Sequence, residues 1–325
     1  MSGGAVGTVF EGAPSGREER VIAHLRGPRA GPLVVVVGGI HGNETAGVRA
    51  AERIAARLEP FEDELAGEVL LVRANLQALR AGVRFRVIDM NRCWNDERVS
   101  RVRVGDARCV EEREMQGLLG AIDPWVVGER DVVIVDLHST SAGGAPFLVL
   151  SDAPACQDLV SDLPLPQVLG LDRVVDGALA SWCCRRGHSA VVCEGGEHGD
   201  PDAVAHHEAL VLAILGRRGV LPDGLAADAD QACEQIARRC EGLPRRMRVV
   251  HRQHRTDGDG FRMARRFDQF HRVRKGELLA RNDEGELRAP QDGILMLPSY
   301  QEQGDDGYYL GVEVSASPGS ARSKS

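Results

Sequence analysis

Lysine is almost absent from this chain: of its 40 lysine and arginine residues, only Lys275 and Lys324 are lysines. Arginine therefore carries nearly all the positive charge, and its planar guanidinium favours fixed, two-pronged pairing with carboxylates wherever it points inward. The formal net charge of -8 at pH 7 argues for solubility and against general affinity for nucleic acid. We therefore expect no nucleic-acid partner for the chain as a whole.

Long apolar runs and a cysteine framework are also missing. No apolar run approaches the roughly 18 residues that a membrane helix needs, and the N-terminus lacks the charged-then-apolar pattern of a secretory signal. The eight cysteines contain no C-x-x-C pair, and Cys183 and Cys184 are adjacent, which rarely suits an intramolecular bridge. We expect a cytoplasmic protein with free thiols and no membrane contact. The oligomeric state stays open, a homo-oligomer included.

Short apolar runs that alternate with helical patterns indicate an α/β fold. The run at 33–37 is β-branched and uninterrupted, which predicts a strand buried on both faces. Similar runs predict strands at 68–72, 131–137, 146–150 and 189–193, and helical spacing predicts helices at about 44–58, 109–120 and 202–216. Strands that alternate with helices form a mainly parallel central sheet flanked by helices.

The length of 325 residues suggests two domains. We expect the α/β domain, which would be the catalytic one, over residues 1–223 and a helical linker over 224–243. From 244 to 315, short alternating runs separated by glycines predict a smaller all-β domain. The small, polar residues at 316–325 predict a disordered tail.

Three predicted strands end in residues that bind metals or protons. His41 and Glu44 follow the first strand, His138 follows the strand at 131–137, and Glu194 follows the strand at 189–193. Ligands of open α/β sheets bind at the carboxyl ends of the strands, so these side chains are expected at one edge. Two histidines and one carboxylate leave zinc one open position for water. A second carboxylate, for which Glu194 is the candidate, can take that water's proton and pass it to a leaving group.

Two competing sites stay open at this stage. One is a second metal site built from His198, His206, His207 and Glu208, although two of these histidines are neighbours on a predicted helix and point in different directions. The other is a nucleic-acid site between residues 245 and 281, where 12 Arg and Lys stand against 4 Asp and Glu among three phenylalanines. We favour the plainer interpretation, a small β domain whose arginines pair with the acidic remainder of the chain.

A long polar segment, 79–106, shows no clear periodicity, which is typical of a functional loop. It contains Arg84, Asn91 and Arg92. On spacing alone, these residues fit a solvated, arginine-rich surface as well as a clamp that holds carboxylate and carbonyl groups above the metal.

The order and spacing of these motifs resemble the succinylglutamate desuccinylase/aspartoacylase family of carboxypeptidase-like zinc hydrolases. The matching residues are His41-Gly-Asn-Glu44, Arg84, Asp89-Met90-Asn91-Arg92, Asp136-Leu137-His138-Ser139-Thr140 and Glu194, in a likeness that runs from about residue 30 to 215. The resemblance implies a zinc carboxypeptidase-like fold with a β-rich C-terminal part, and one zinc per chain bound by His41, Glu44 and His138. It also implies that Glu194 is the general base and acid, that Arg84 polarises the scissile carbonyl, and that Asn91 and Arg92 hold a substrate carboxylate.

The activity that the resemblance implies is hydrolysis of a linear amide, a carbon–nitrogen bond other than a peptide bond. Zinc-bound water would cleave a small N-acyl amino acid, of the N-acetyl or N-succinyl type, to an amino acid and a carboxylate. The alternative among enzymes is a zinc carboxypeptidase that acts on a peptide C-terminus, which an open groove would favour. The alternative outside enzymes is a zinc-dependent or nucleic-acid-binding module.

The chain departs from the family at residues that would choose the substrate. The aspartoacylase branch carries an arginine about ten residues before the catalytic glutamate, and this chain has Cys184 there. Arg185 or Arg186 could replace that arginine, and Tyr308 or Tyr309 could be the C-terminal tyrosine of the branch. The acyl group and the amino acid therefore stay open.

Overall fold

The protein is described by a computed structural model that covers residues 19–256 and 258–315, so the predicted tail at 316–325 lies outside the described residues. The strands are β1 (Val21–Arg26), β2 (Arg29–Gly38), β3 (Ala66–Arg73), β4 (Val132–Thr140), β5 (Phe147–Leu150), β6 (Gln167–Leu169), β7 (Ser189–Glu197), β8 (Arg246–His254), β9 (Arg262–Met263), β10 (His271–Val273), β11 (Leu278–Asn282), β12 (Gly285–Arg288), β13 (Gly293–Met296) and β14 (Asp306–Glu313). The helices are α1 (Thr45–Leu58), α2 (Leu76–Ala81), α3 (Asp96–Arg103), α4 (Val110–Ile122), α5 (Pro154–Asp158), α6 (Leu179–Arg185), α7 (Ala203–Arg217) and α8 (Asp223–Arg239).

Eleven strands form one mixed sheet with a parallel centre. Their order is β1-β3-β2-β4-β7-β5-β6-β8-β14-β13-β10, and β2 pairs in parallel with β3 and β4, as β4 does with β7. Helices α1, α7 and α8 pack on one face of this centre, and α3, α4 and α6 pack on the other. Residues 33–37 are therefore fully buried, as their unbroken apolar run predicts. The expected mixed α/β architecture is confirmed.

The C-terminal strands continue the large sheet. Strand β8 pairs in parallel with β6, and β14, β13 and β10 follow in antiparallel order. Strands β9, β11 and β12 form a separate three-stranded sheet. Within the described part of residues 244–315 the regular elements are strands, as the alternating pattern predicts, and α8 occupies most of the predicted linker. The boundaries of separate domains stay a prediction.

The segment at 79–106 is more regular than the sequence predicts. It contains the end of α2, a 3₁₀ turn at Met90–Arg92 and all of α3. Helix α3 begins where the Asn95 side chain accepts a hydrogen bond from the Arg98 N–H, and acidic residues in its first turn and arginines in its last complement the helix dipole. Only Val99 and Val102 of this helix are buried, so its apolar periodicity is too weak to predict it. The expectation of one long loop is therefore wrong for the helical parts of the segment, although Arg84, Asn91 and Arg92 do line a cavity.

Cysteine pairing also differs from the expectation. Cys156 in α5 and Cys184 in α6 form a disulfide, beside the start of β7, where the Ala190 N–H donates to Cys156 Sγ at 3.4 Å. The expectation of free thiols is therefore wrong for this pair, because two short helices that the sequence did not predict bring these cysteines together. In the described part of the chain, no helix combines the length and apolar character needed to cross a membrane.

Candidate active site

His41 and Glu44 lie in the turn between β2 and α1. Strand β2 delivers the chain to the edge of the sheet, and Gly39 turns it with a φ of +74° that disfavours other residues. Glu44 directly precedes the first residue of α1. His41 Nδ1 lies 2.8 Å from Glu44 Oε1, and both side chains are buried. The predicted pair therefore shares one buried corner at the carboxyl end of β2.

His138 joins this pair from the neighbouring strand. It lies within β4, and its Nδ1 is 3.0 Å from Glu44 Oε2. The Ser139 N–H donates to the same carboxylate oxygen at 2.9 Å. Donor atoms of His41, Glu44 and His138 all lie within 4.8 Å of one another, an arrangement that could hold a metal ion. Two imidazoles and one carboxylate suit zinc, which usually keeps a fourth position open at three-ligand sites.

Carboxylates stand behind both imidazoles. His41 Nε2 lies 3.0 Å from Asp89 Oδ1, and His138 Nε2 lies 3.1 Å from Asp136 Oδ2. Metal-binding histidines usually present one nitrogen to the ion and the other to such an acceptor, which fixes the ring and raises its basicity. Because Asp89 and Asp136 face the Nε2 atoms, the Nδ1 atoms of both histidines are the ones placed to bind a metal ion.

The buried acidic and basic groups near Glu44 stabilise one another's charged forms. Burial by itself raises the pKa of Glu44, but His41 and His138 outweigh that effect and hold the pKa well below its usual value. Burial lowers the pKa of His138, but Asp136 and Glu44 outweigh it and raise the pKa well above its usual value. Glu44 is thus an ionised carboxylate, the form that binds metals.

Glu194 is positioned by strand register. It lies in β7 directly opposite His138 of β4, so both side chains stand on the same face of the sheet. Glu194 is only 8% exposed, and its Oε2 has no hydrogen-bond partner among the described residues. Burial, aided by the charges of Glu44 and Asp136, raises the pKa of Glu194 to about 8 against the opposing effect of His138. This carboxyl group is therefore able to hold a proton near neutral pH.

Arg84 reaches the same corner from the segment after α2. Its Nε and Nη2 donate to Asp89 Oδ2 at 3.2 and 3.0 Å, and its Nη1 lies 3.4 Å from Glu44 Oε1. Asp89 thus connects the guanidinium to the His41 imidazole, and Arg84 adds a fixed positive charge beside the three donors.

Asn91 and Arg92 lie in the 3₁₀ turn at the mouth of the site. The Asn91 Oδ1 accepts a hydrogen bond from the Leu179 N–H at the start of α6, which leaves its amide NH₂ as the group free to bind a ligand. Arg92 Nη2 donates to Asp306 Oδ2 at 2.5 Å, and its Nε is buried without a hydrogen-bond partner among the described residues.

One cavity of about 140 Å³ joins these side chains. All seven residues predicted for the site line it: His41, Glu44, Arg84, Asn91, Arg92, His138 and Glu194. Its outer wall comes from the C-terminal strands and their connections, including Leu297, Gln301 and Asp306. Of the tyrosines left open, Tyr309 lines this cavity, whereas Tyr308 packs in the core of the C-terminal part.

The rival metal cluster is not assembled. His206 Nδ1 lies 2.7 Å from the Gly195 carbonyl oxygen, and Glu208 pairs with Arg53. His198 Nδ1 lies 2.8 Å from Ser139 Oγ. Among the residues that the structure describes, only His41, Glu44 and His138 group as a metal site. Among the described residues, about half of the arginines of the basic stretch pair with acidic residues, as Arg252 does with Asp306 and Arg266 with Glu197.

Sequence reasoning missed three carboxylates of the site. Asp89 was visible as the first residue of the Asp-Met-Asn-Arg motif, and Asp136 as a charged residue two places before His138 in an apolar run. A carboxylate inside such a run signals a buried partner. Asp306 gave no signal, because it is separated from Arg92 by 214 positions and meets it only through the folded sheet.

The mixed α/β fold described above is similar to that of several solved structures. The product-bound ectoine utilization protein EutE (DoeB) from Ruegeria pomeroyi has a TM-score of 0.64 and 21% identity, covering 89% of this chain and 87% of that one. A succinylglutamatedesuccinylase/aspartoacylase from Rhodobacter sphaeroides has a TM-score of 0.60 and 20% identity, covering 90% and 88%. At such identities the likeness concerns the fold alone.

Sequence comparison gives the family. Residues 30–200 match the Succinylglutamate desuccinylase/Aspartoacylase catalytic domain, and the chain belongs to that family, as its motifs predict. It is 29% identical over 119 residues to a probable aspartoacylase of Nostoc sp. and 35% identical over 111 residues to the succinylglutamate desuccinylase of Pseudomonas paraeruginosa. These matches cover 37% and 34% of this chain but only 39% and 32% of the relatives.

Proposed function

We propose that this chain is a zinc-dependent amidohydrolase that cleaves the amide bond of a small N-acyl amino acid. The observation that carries the proposal is the position of Glu194, which is buried, lacks a partner on Oε2 and lies in register beside His138 of the three-donor set. The names of the curated relatives, aspartoacylase and succinylglutamate desuccinylase, support a deacylase. The products are an amino acid and a carboxylate.

In this proposal His41 and His138 hold the zinc through Nδ1, and Glu44 holds it through its carboxylate. A zinc ion at this position supplies Lewis acidity and lowers the pKa of water. Asp89 orients the His41 ring through a hydrogen bond to Nε2, and Asp136 is a counter-charge 3.1 Å from His138 Nε2. The chain therefore has both the ligands and their supporting shell.

Glu194 is the proton carrier of the proposal. Hydrolysis joins a water oxygen to the carbonyl carbon and breaks the C–N bond, so one proton has to pass from water to the departing nitrogen. The free Oε2 of Glu194 is the atom that accepts this proton and then donates it. A pKa raised to about 8 by burial suits a group that must both take and release a proton near neutrality.

The arginines and Asn91 bind the substrate. The Arg84 guanidinium, 3.4 Å from Glu44, is close enough to the donor set to stabilise the charge that develops on the carbonyl oxygen. Arg92 Nε makes no hydrogen bond among the described residues, although Asp305 Oδ1 lies 3.5 Å away. This Nε and the amide NH₂ of Asn91 are the hydrogen-bond donors for the carboxylate of the amino acid. The cavity volume of about 140 Å³ and the C-terminal residues along its wall favour a small substrate over a polypeptide.

The test is a substrate panel on the zinc-loaded protein. N-acetyl and N-succinyl amino acids are compared with short peptides that have a free C-terminus, and release of amino acid is measured. Hydrolysis of N-acyl amino acids in preference to peptides supports the proposal. Preference for peptides makes the protein a carboxypeptidase, and a zinc-loaded chain that hydrolyses neither class contradicts the proposal.

A further inference from the structure

The cavity extends beyond the proposed reaction centre along the face of the sheet. Strand register places Val192, two residues before Glu194, opposite Val149 of β5. Ser151 follows Val149 by two positions, further from Glu194 along the same strand direction. The walls of this compartment are apolar: Val149, Leu171, Val175, Ala178, Ala180 and Val192. The shape suits an aliphatic group that points away from the reacting amide.

The far end of the compartment is polar and anionic. Ser151 and Asp172 both line the cavity, and Ser151 Oγ donates to Asp172 Oδ2 at 2.9 Å. The other carboxylate oxygen, Oδ1, is buried without a hydrogen-bond partner among the described residues. The nearby Arg173 and Arg248 pair with Asp152 instead. Asp172 therefore has an acceptor left for a ligand that donates.

In the described part of the chain, every arginine that lines the cavity is already paired with a carboxylate. Among the described residues, the arginines that line the cavity are Arg84 and Arg92, and they already bind Asp89 and Asp306. Arg92 Nε makes no hydrogen bond among the described residues but lies 3.5 Å from Asp305 Oδ1, so a substrate carboxylate would share this guanidinium with two acidic residues. A second carboxylate would have to bind elsewhere.

The neighbouring positions 184–186 supply no cation to the compartment. Cys184 lines the cavity and is bonded to Cys156. Arg185 and Arg186 do not replace the missing cation, because both are exposed and neither lines the cavity. Arg186 Nη1 instead lies 3.2 Å from Asp96.

We propose that this compartment selects an N-acyl amino acid in which one group, either the amino-acid side chain or the acyl chain, has an aliphatic stem. This group ends in a hydrogen-bond donor, an ammonium group above all, which pairs with Asp172. This inference rests on the proposed function and names its substrate class. A carboxylate in the compartment would face Asp172 without a counter-charge, and like charges brought together at a binding surface are strongly disfavoured. Succinylglutamate, named by one relative, carries several carboxylates and is therefore a poor substrate for this chain.

The test uses two series of ligands, and within each series the members differ mainly in the charge of the terminal group. One series represents the amino-acid part of the substrate and the other the acyl part, because either part could occupy the compartment. Glutamate, glutamine and ornithine represent the amino-acid product, and succinate, butyrate and 4-aminobutyrate represent the acid product. Binding of each of these products is measured by calorimetry. The kcat/KM is measured for the N-acetyl derivatives of the three amino acids and for the amides that the three acids form with the amino group of glycine. The proteins are the wild type, Asp172→Asn and the control Asp176→Asn, which alters an exposed carboxylate four residues away that does not line the cavity.

The proposal expects the cationic member of one series to bind best and the anionic member at least about tenfold more weakly, the discrimination of a single charged contact. Asp172→Asn should remove most of that difference, whereas Asp176→Asn should preserve it. Equal binding of the anionic and cationic members in both series, or an unchanged ratio in Asp172→Asn, overturns the proposal. Charge discrimination without any hydrolysis contradicts the proposed function alone, and hydrolysis without discrimination contradicts the compartment alone.

Discussion

Arg92 and Asp306 form an ion pair across 214 positions of sequence, with Arg92 Nη2 donating to Asp306 Oδ2 at 2.5 Å. The pair connects the 3₁₀ turn beside the cavity to the first residue of β14. Asp306 Oδ1 also accepts from Arg252 Nε at 2.6 Å, so a C-terminal strand holds the carboxylate that orients Arg92. Residues of the C-terminal part thus hold Arg92, the proposed substrate anchor, in place. They also form one wall of the cavity.

Asp306→Asn should therefore weaken substrate binding more than turnover. The amide keeps the size of the side chain but loses the charge that orients Arg92, and Arg92→Lys, which loses the planar fork, should act in the same direction. Because a carboxylate anchor contributes about equally to the ground and transition states, we expect KM to rise about tenfold with a smaller change in kcat. Steady-state kinetics on the best substrate measure both.

The matched control is Glu313→Gln, at the other end of β14, which removes only the exposed pair with Arg272. Its KM should match that of the wild type. If KM stays unchanged in both Asp306→Asn and Arg92→Lys, Arg92 does not anchor the substrate.

Zinc binding should depend on His138. Removal of one of three protein ligands in His138→Ala should lower zinc affinity by more than the roughly 10- to 100-fold typical of losing an outer partner. The measurement is metal content after dialysis at a fixed free zinc concentration. His198→Ala serves as the control, because His198 is a neighbouring histidine outside the donor set. Full zinc occupancy in His138→Ala would remove that residue from the ligand set.

Glu194→Gln should separate chemistry from binding. The substitution leaves the donor set and Arg92 untouched, so zinc content and substrate affinity should match the wild type. Turnover should fall by at least about a hundredfold, the low end for removing a positioned general base. Near-normal turnover with full zinc would pass the proton role to another group, His198 first. Loss of zinc would instead make Glu194 a ligand, with Glu44 as the candidate base.

The residues that the sequence predicted for the metal and for the proton follow buried apolar runs, whereas Arg84, Asn91 and Arg92 were found only through their motif. His41, His138 and Glu194 come at or near the ends of such runs, and parallel strands bring their carboxyl ends to one edge. The strands extend further than the runs do, so His138 and Glu194 lie inside β4 and β7. The polar residues at the ends of these strands still form backbone hydrogen bonds with neighbouring strands. A search for apolar runs therefore predicts strands that end too early.

Long-range contacts set the limit of the sequence analysis. The link between Arg92 and Asp306 depends on the path of β14 through the sheet, and no local pattern encodes it. Cys156 and Cys184 meet because α5 and α6 pack beside β7, and both helices are too short to show periodicity. The sequence did not predict Asp172 as a cavity residue for the same reason, because its position in the cavity depends on which strands are neighbours in the sheet.

His207 lies behind the site and is completely buried. Its ring packs against Gly195, the residue after Glu194, so closely that a Cβ on Gly195 would come within 2.5 Å of Nε2. Burial, with help from the positive charge of His138, lowers the pKa of His207 from 6.5 to about 3. The folded protein therefore holds this imidazole neutral at pH values where the unfolded chain would protonate it.

The pH dependence of stability should show this buried imidazole. Between pH 6.5 and about 3 the unfolded chain binds one more proton at His207 than the folded chain does. The free energy of unfolding should therefore be unaffected above pH 6.5 and should fall by about 1.4 kcal/mol per pH unit as the pH drops through that window. His207→Gln, which cannot titrate, should lose this share of the slope, whereas His254→Gln, on an exposed position of β8, should keep it. Urea unfolding at about pH 7 and about pH 5 measures the difference, since the roughly 1.5 pH units below 6.5 separate the variants by about 2 kcal/mol. Parallel pH profiles for the wild type and His207→Gln would show that His207 is protonated in the folded protein and that a counter-charge compensates its burial.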